Sequence, residues 1–368
     1  MTVVTLGTAP RPAAAATLGE RYWRMAAIAL LSVRLIQGFI YWGGGSRRFI
    51  YDPEKLNPDA PSWMANKFQS AMPGALFGTD HLIAFLLHHF CLLYPAVILF
   101  SGAELIAGAA LMAGLLTRLA ALVSVGFSIV LMLMFGWQGG TCIDEWTMAT
   151  CNLAMGATLM LAGSSAYSLD NVLLDRNPRL SDRAWFRWLG GSLPLPLTDT
   201  AFRNLGLAVL AVVLAFDIGT HSYYRGSVVM PYHGGPVGPT RHHFALSNGA
   251  LLPDGGVKFH VYLNGGTAAA PAHIMKAELT SGDGEPLETW NTETLTRLPA
   301  GSIHNDFAYN KFEVGPYGIV AEMGAMATIT LPPQPNVRPP AGGNTIMRLT
   351  DVNGRTFSLK LAEAGENP

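Results

Sequence analysis

Charge is what this sequence has least of. Only 13% of its 368 residues are Asp, Glu, Lys or Arg, about half the share a soluble domain carries, and that shortfall points to lipid. The formal net charge is −1, so no global field would attract nucleic acid, and none is expected as a partner. Cysteine is scarcer still. Three in the whole chain exclude a disulfide scaffold, and without a CxxC there is no zinc or thioredoxin-type signature. A dinucleotide fingerprint is missing too, because GGGS at 43–46 is too short and follows an apolar run, not a strand. No histidine falls near the middle of an apolar run and none has metal-ligand spacing, so nothing argues for haem, flavin or metal. There is no internal repeat.

Long hydrophobic runs are what the sequence has instead. A bilayer crossing needs about 20 apolar residues, and five stretches approach that: 22–42, 94–116, 119–137, 145–163 and 203–219. The first is too long for a secretory h-region, contains Arg34 and Gln37, and has no small-residue cleavage site behind it, so it reads as a retained span. With a cytoplasmic N-terminus, nine arginines fall on inner segments against four basic residues on the short outer ones, as the positive-inside rule requires. Five crossings then put the C-terminus outside.

The organisation expected is a cytoplasmic tail (1–21) and a four-helix transmembrane domain (22–200), with an outer loop at 43–93 and a cytoplasmic loop at 164–202. A fifth transmembrane helix (203–220) follows, and then an extracytoplasmic domain (228–368). The outer loop should hold a short helix near 62–71, then an apolar helical stretch kinked at Pro95. From 228, turn signals separate short alternating runs such as VKFHVYL, HIMKAEL, IVAEMGAMATITL and FSLKL. That spacing reads as an all-β sandwich. The fold class is thus a membrane α-helical bundle followed by an all-β sandwich.

Arg34 and Glu104 are charges inside apolar spans, which are costly and either paired or functional. Arg34 lies about 18 Å into its helix at 1.5 Å per residue, and Glu104 reaches a similar depth from the other end. Two readings stand: an ion pair locking two helices, or positive potential for an anionic substrate at Arg34 with proton transfer at Glu104. Arg47 and Arg48 follow GGG at the outer mouth of the first span, as lipid anchors or as forks for an oxyanion. Tyr41, Trp42, Trp137 and Trp146 sit at span ends, where they either anchor the interface or line a site for a flat apolar ring. His81 and His88 are seven apart and would share a helix face on the outer side, where interfacial polar contacts account for most of the histidines.

GGTCIDEWTMATCN (139–152) holds two of the three cysteines, Cys142 and Cys151. In one continuous helix their Cα atoms would stand about 13.5 Å apart on opposite faces, and a disulfide needs about 7 Å or less. The pair can bond only if the helix starts late and the Gly139–Gly140 turn folds Cys142 back. The alternative is that both are small buried hydrophobes.

GAELIAGAALMAGLLTRLAA (102–121) resembles the DoxX/DoxD group of small four-helix membrane proteins. YWGGGSRRFIYDPEKLNPDAPSWMANKFQSAMPG (41–74) is similar to DoxD, and the region from about 230 is similar to DoxA, the two subunits of thiosulfate:quinone oxidoreductase, fused here into one chain. The resemblance implies oxidation of two thiosulfates to tetrathionate on the outer side of a bacterial or archaeal cytoplasmic membrane. Membrane quinone would accept the electrons. Thiosulfate, quinone and the bilayer are then the partners, with self-association left open. On that footing Cys142 and Cys151 become the exchanging sulfurs, Arg34, Arg47 and Arg48 the anion's contacts, and His88 and Glu104 the proton carriers. Tyr41, Trp42, Trp137 and Trp146 would surround the quinone. A transporter for a sulfur oxyanion and a scaffold for a redox partner are the alternatives.

Overall fold

The computed structural model describes residues 13–139, 144–226, 229–235, 237–334 and 345–362. It begins with α1 (Ala13–Ser46), which runs into a π-helical turn at Arg47–Tyr51. Two short helices follow, α2 (Met64–Ala71) and α3 (Thr79–His88), then the long α4 (Phe90–Ala113), α5 (Thr117–Phe135) and α6 (Asp144–Ala162). Short helices α7 (Leu169–Arg176) and α8 (Ala184–Leu189) lead to α9 (Asp199–Tyr224).

Among the described residues, four helical segments are long and apolar enough to cross a membrane: Arg21–Tyr51, Phe90–Ala113, Thr117–Phe135 and Asp199–Tyr224. The most apolar stretch of α9 buries none of its residues, and Leu207, Leu210, Val212 and Leu214 stand exposed. Such a surface suits lipid and not water. The fifth expected span, 145–163, is realised as α6 but is not among the four, because Glu145, Thr147, Thr150 and Asn152 dilute its apolar character.

A second correction concerns the break before α4. It falls at His89, not at Pro95, which lies inside the helix. His89 leaves helical geometry and sets its ring Nδ1 2.7 Å from the Phe85 carbonyl, meeting an acceptor that the end of α3 leaves open. Pro95, the sixth residue of α4, lies past the first turn and lacks the N–H that would bond to the Cys91 carbonyl.

Packing divides the chain into two compact units, residues 1–51, 99–129 and 151–215 in one and 52–98, 130–150 and 216–368 in the other. In the first, α1, α4, α5 and α6 pack around Leu111, Ala120, Ala121 and Leu159. Gly108 makes the α1–α4 approach possible, since a Cβ there would stand 2.1 Å from the Trp42 backbone nitrogen.

Among the described residues, the second unit contains ten strands in two antiparallel sheets. One has the order β1 (His243–Leu251), β2 (Val257–Gly265), β8 (Met326–Leu331), β5 (Ile303–Asn305). The other runs β10 (Thr356–Lys360), β9 (Thr345–Asp351), β3 (Ala272–Ser281), β7 (Gly318–Ala321), β6 (Phe312–Gly315), with β4 (Pro286–Trp290) also paired to β3. A one-turn helix, α10 (Thr292–Leu295), follows β4. Alternation along β2 points Val257, Phe259, Val261 and Leu263 into a core shared with Leu279, Met347 and Leu349 of the other sheet. The run 319–331, expected as one strand, is two, β7 and β8, separated by a turn at Met323–Gly324.

That turn is where the outer loop meets the β-sandwich. The Gln69 Nε2 donates to the carbonyls of Asn310 (2.9 Å) and Gly324 (3.0 Å), and its Oε1 accepts from the Asn310 N–H (2.9 Å). Gly324 has φ +80, and a Cβ on it would stand 2.1 Å from the Gln69 carbonyl oxygen, so only glycine fits both the turn and the contact.

Candidate functional site

Four polar residues of α1 and of the π-helical turn that follows it fall on one face. Arg34, Gln37, Tyr41 and Arg48 are spaced three, four and seven apart, with Gly44 between the last two, which aligns them along a single helical stripe. All but Arg48 are buried or nearly so, and Arg48 is largely covered.

The two ends of the stripe hold their cations differently. Arg34 donates to the backbone carbonyls of Ser164, Ala166 (3.2 Å) and Tyr167 (2.9 Å) and is 1% exposed. Its two terminal nitrogens hold the segment after α6, while Nε is buried with no hydrogen-bond partner among the described residues. Arg48 forms an ion pair with Glu104 and reaches Ser101 Oγ at 3.5 Å. The expected Arg34–Glu104 pairing is therefore corrected. Glu104 packs on Gly44, ten residues or about 15 Å along α1 from Arg34. Arg47 is exposed in the π-helical turn.

Between those ends lies a chain of neutral polar groups. The Tyr41 hydroxyl sits 2.9 Å from both the Ser124 carbonyl and Ser128 Oγ, and Ser128 Oγ donates to the Ser124 carbonyl at 2.8 Å. Gln37 Nε2 donates to Ser124 Oγ (3.2 Å) and to the Asn152 carbonyl (3.0 Å). Gln37 Oε1 and Asn152 Oδ1 are buried with no hydrogen-bond partner among the described residues. Sequence reasoning missed Ser124, Ser128 and Asn152. Ser124 and Ser128, four apart on one helix, were the available signal.

Asp170 was also missed. Its carboxylate accepts from the N–H groups of Leu116 (2.8 Å), Thr117 (3.1 Å) and Gly191 (2.8 Å) and from the Thr117 hydroxyl (3.1 Å). It caps the start of α5, where free N–H groups and the helix dipole favour an anion. Arg118, beside it in sequence, donates to the carbonyls of Arg187 (3.2 Å), Gly190 (2.8 Å) and Leu193 (2.8 Å). The Thr-Arg that ends the 102–121 motif is thus an anchoring pair.

In the second unit the aromatic candidates separate. Trp137 is fully buried, packed against Gly74, with Nε1 donating to the Ala71 carbonyl at 2.9 Å. It is a core residue and offers no open ring face. Trp146 is half-buried, donates to Thr220 Oγ1 at 2.9 Å and meets the His221 ring edge-on at 4.9 Å. In the first unit Tyr41 is enclosed, and Trp42 is half-buried. His88 is exposed and lies against the Phe307 ring, 4.6 Å between centroids.

Cys151 is an exposed free thiol seven residues into α6, and Cys91 is another exposed free thiol. Cys142 lies outside the described residues, so the expected pairing falls outside them too. Glu145, in the first turn of α6, is paired with Lys67 at 2.9 Å, and the Lys67 ammonium stands 5.1 Å from the centre of the Phe135 ring. Arg225 donates to the Gly139 carbonyl at 2.7 Å. No cluster of three or more His, Cys, Asp or Glu fit for a metal occurs among the described residues.

Membrane-length helices with a buried polar stripe, continuing in one chain into an antiparallel β-sandwich, define a membrane protein of two parts. Each part matches a family model: the TQO small subunit DoxD over residues 29–197, and the TQO small subunit DoxA over residues 235–360. The chain belongs to the thiosulfate:quinone oxidoreductase (TQO) family, as a fusion of its DoxD and DoxA parts in that order.

Proposed function

We propose that the protein oxidises thiosulfate to tetrathionate at the outer face of the cytoplasmic membrane and passes the electrons to membrane quinone. The N-terminus lies inside and the β-sandwich outside. The observation that carries this reading is the presence of both TQO subunit families in a single chain.

The chemistry runs through Cys142 and Cys151 as a disulfide. The outer sulfur of thiosulfate attacks one cysteine Sγ, forming a Cys Sγ–S–SO3 adduct that keeps both thiosulfate sulfurs and releasing the other cysteine as a thiolate. A second thiosulfate attacks the adduct, and tetrathionate leaves as the second thiolate forms. Quinone then takes two electrons from the dithiolate and two protons, giving quinol and restoring the disulfide. The exposed Cys151 thiol supports this, because exchange needs an accessible sulfur. Exposed Arg47 is the guanidinium free to meet a dianion, with Arg48 next to it in the turn. Glu104 and His88 are the proton-carrying groups, and the half-buried rings of Trp42 and Trp146 suit the quinone.

The test uses the purified full-length protein with thiosulfate and a short-chain ubiquinone. One quinol should appear for each tetrathionate. A sulfur-oxyanion transporter or a redox scaffold would reduce no quinone, and that result would remove the enzyme reading.

A further inference from the structure

The last two turns of α9 carry polar groups that the sulfur chemistry leaves unused. Asp217 and His221 are four residues apart and so share a helix face. They lie with the first turns of α6 in the second compact unit, where Trp146 and Thr150 are also four apart. The Thr150 hydroxyl donates to Asp217 Oδ1 at 3.4 Å. The Trp146 ring meets the His221 ring edge-on at 4.9 Å, and its Nε1 donates to Thr220 Oγ1 at 2.9 Å. The two helices thus present an indole beside an imidazole and, one turn away, a hydroxyl beside a carboxylate. All four groups are half-buried, and Ile218 and Tyr223, next to them on α9, are exposed.

Two of these groups lack the partners their chemistry asks for. Asp217 sits in a helix long and apolar enough to cross a membrane, yet its carboxylate is bonded to the Thr150 hydroxyl and to no cation among the described residues. A carboxylate so placed is costly and marks a functional site unless it is paired. His221 Nδ1 is buried with no hydrogen-bond partner among the described residues, whereas a structural histidine would be satisfied. The charge narrows the choice of ligand. A carboxylate repels a dianion, so this face does not receive thiosulfate. A neutral ring dissolved in lipid, with two opposite carbonyl oxygens and a need for two protons, fits it. Groups four apart on a helix stand about 5–6 Å from each other, comparable with the distance between those two oxygens.

We propose that Asp217 and His221 bind the quinone head group and hand it its two protons. The inference rests on the thiosulfate–quinone reading above and deepens it by placing the acceptor. The His221 imidazolium donates to one carbonyl oxygen and the protonated Asp217 carboxyl to the other. Two thiosulfates release two electrons as they join into tetrathionate. As those electrons reach the quinone, each residue gives up one proton, quinol leaves toward the lipid, and solution re-protonates both residues. Trp146 and Thr150 are positioning residues here: the indole, held on Thr220, fixes the imidazole, and the hydroxyl fixes the carboxyl.

The experiment uses the full-length protein in lipid nanodiscs and reads binding apart from turnover. An azido-substituted short-chain ubiquinone, irradiated without thiosulfate, should label residues 216–225 or 144–150 and be displaced by unmodified ubiquinone. His221→Phe should cut that labelling at least about 10-fold, and His221→Gln, which keeps a donor, should retain it and guards against a folding defect. Asp217→Asn keeps a hydrogen-bonding group without the acidic proton. It should be labelled as the wild type is, with kcat for ubiquinone lowered at least about 10-fold and KM little changed, and Asp217→Glu should recover most of the rate. A residue that only braces two helices would not produce this split between KM and kcat. Labelling confined to other segments, unchanged labelling in His221→Phe, or an unchanged kcat in Asp217→Asn overturns the proposal. A wild-type protein labelled on α9 that oxidises no thiosulfate overturns the thiosulfate reading and leaves the quinone site standing, whereas an active protein labelled elsewhere overturns the site alone.

Discussion

Asp170 and Thr117 meet twice: one carboxylate oxygen accepts from both the backbone N–H and the hydroxyl of Thr117, each at 3.1 Å. With the Leu116 and Gly191 N–H groups, this makes a buried anion with four donors, in the field of the Arg34 and Arg118 guanidinium groups. Asp170→Asn would turn an NH2 toward some of those donors. We expect a loss of about 2–3 kcal/mol of stability, read as a lower unfolding temperature in detergent, with Thr117→Val costing less.

The Arg48–Glu104 pair offers a second test. Glu104→Gln leaves a largely covered guanidinium without its counter-charge and should destabilise the protein by about 3 kcal/mol. Replacing both partners with methionine should recover most of that stability while quinone reduction stays low. Recovery of activity along with stability would assign the pair a purely structural role.

For the sulfur chemistry, Cys142→Ser and Cys151→Ser should each bring tetrathionate formation below about one-thousandth of the wild-type rate. Cys91→Ser should leave it unchanged. Near-normal turnover in either of the first two variants would eliminate the disulfide route.

The β-sandwich carries its own pH signature. Glu288 on β4 is 2% exposed, and burial pushes its carboxyl above the usual range. The folded state therefore holds its proton more tightly than the unfolded chain. This stabilisation is complete below the unfolded carboxylate range, about pH 4, and is lost as pH rises through the higher folded value. Unfolding temperature measured from pH 4 to 7 should fall less steeply in Glu288→Gln than in the wild type.

Gln69→Ala would leave the Asn310 N–H and two carbonyls without their buried partner and should cost about 2–4 kcal/mol. Faster proteolysis around residues 306–324 would report the loosened contact.

What the sequence could and could not reveal follows from the kind of partner each residue has. The β strands were legible because alternation in runs like VKFHVYL is set by local geometry. Arg34 was legible as an anomaly, but its partners were not. They are backbone carbonyls about 130 residues away, which any residue type supplies. Glu104 was matched to the wrong arginine, because counting from run ends misjudges depth when α1 begins at Ala13 and α4 at Phe90. Trp137 at the end of an apolar run looks the same whether it faces lipid or fills a core, and the bare surface of Gly74 decides that. Asp170 sits in a polar stretch where nothing distinguishes it from Asp175 or Asp182 until the chain folds.

The Gln69 clasp also bears on how a two-subunit machine becomes one polypeptide. Gln69 lies in the DoxD-matched region, and Asn310 and Gly324 lie in the DoxA-matched one. The clasp thus joins the two family-matched regions within one chain. Tethering holds the two regions at an effective concentration near the millimolar range, and the clasp is backed by apolar packing of Phe307, Tyr309 and Met326 in one core with Trp63, Met72 and Leu87. Expressing residues 1–227 and 228–368 apart would show how much of the assembly depends on the covalent leash.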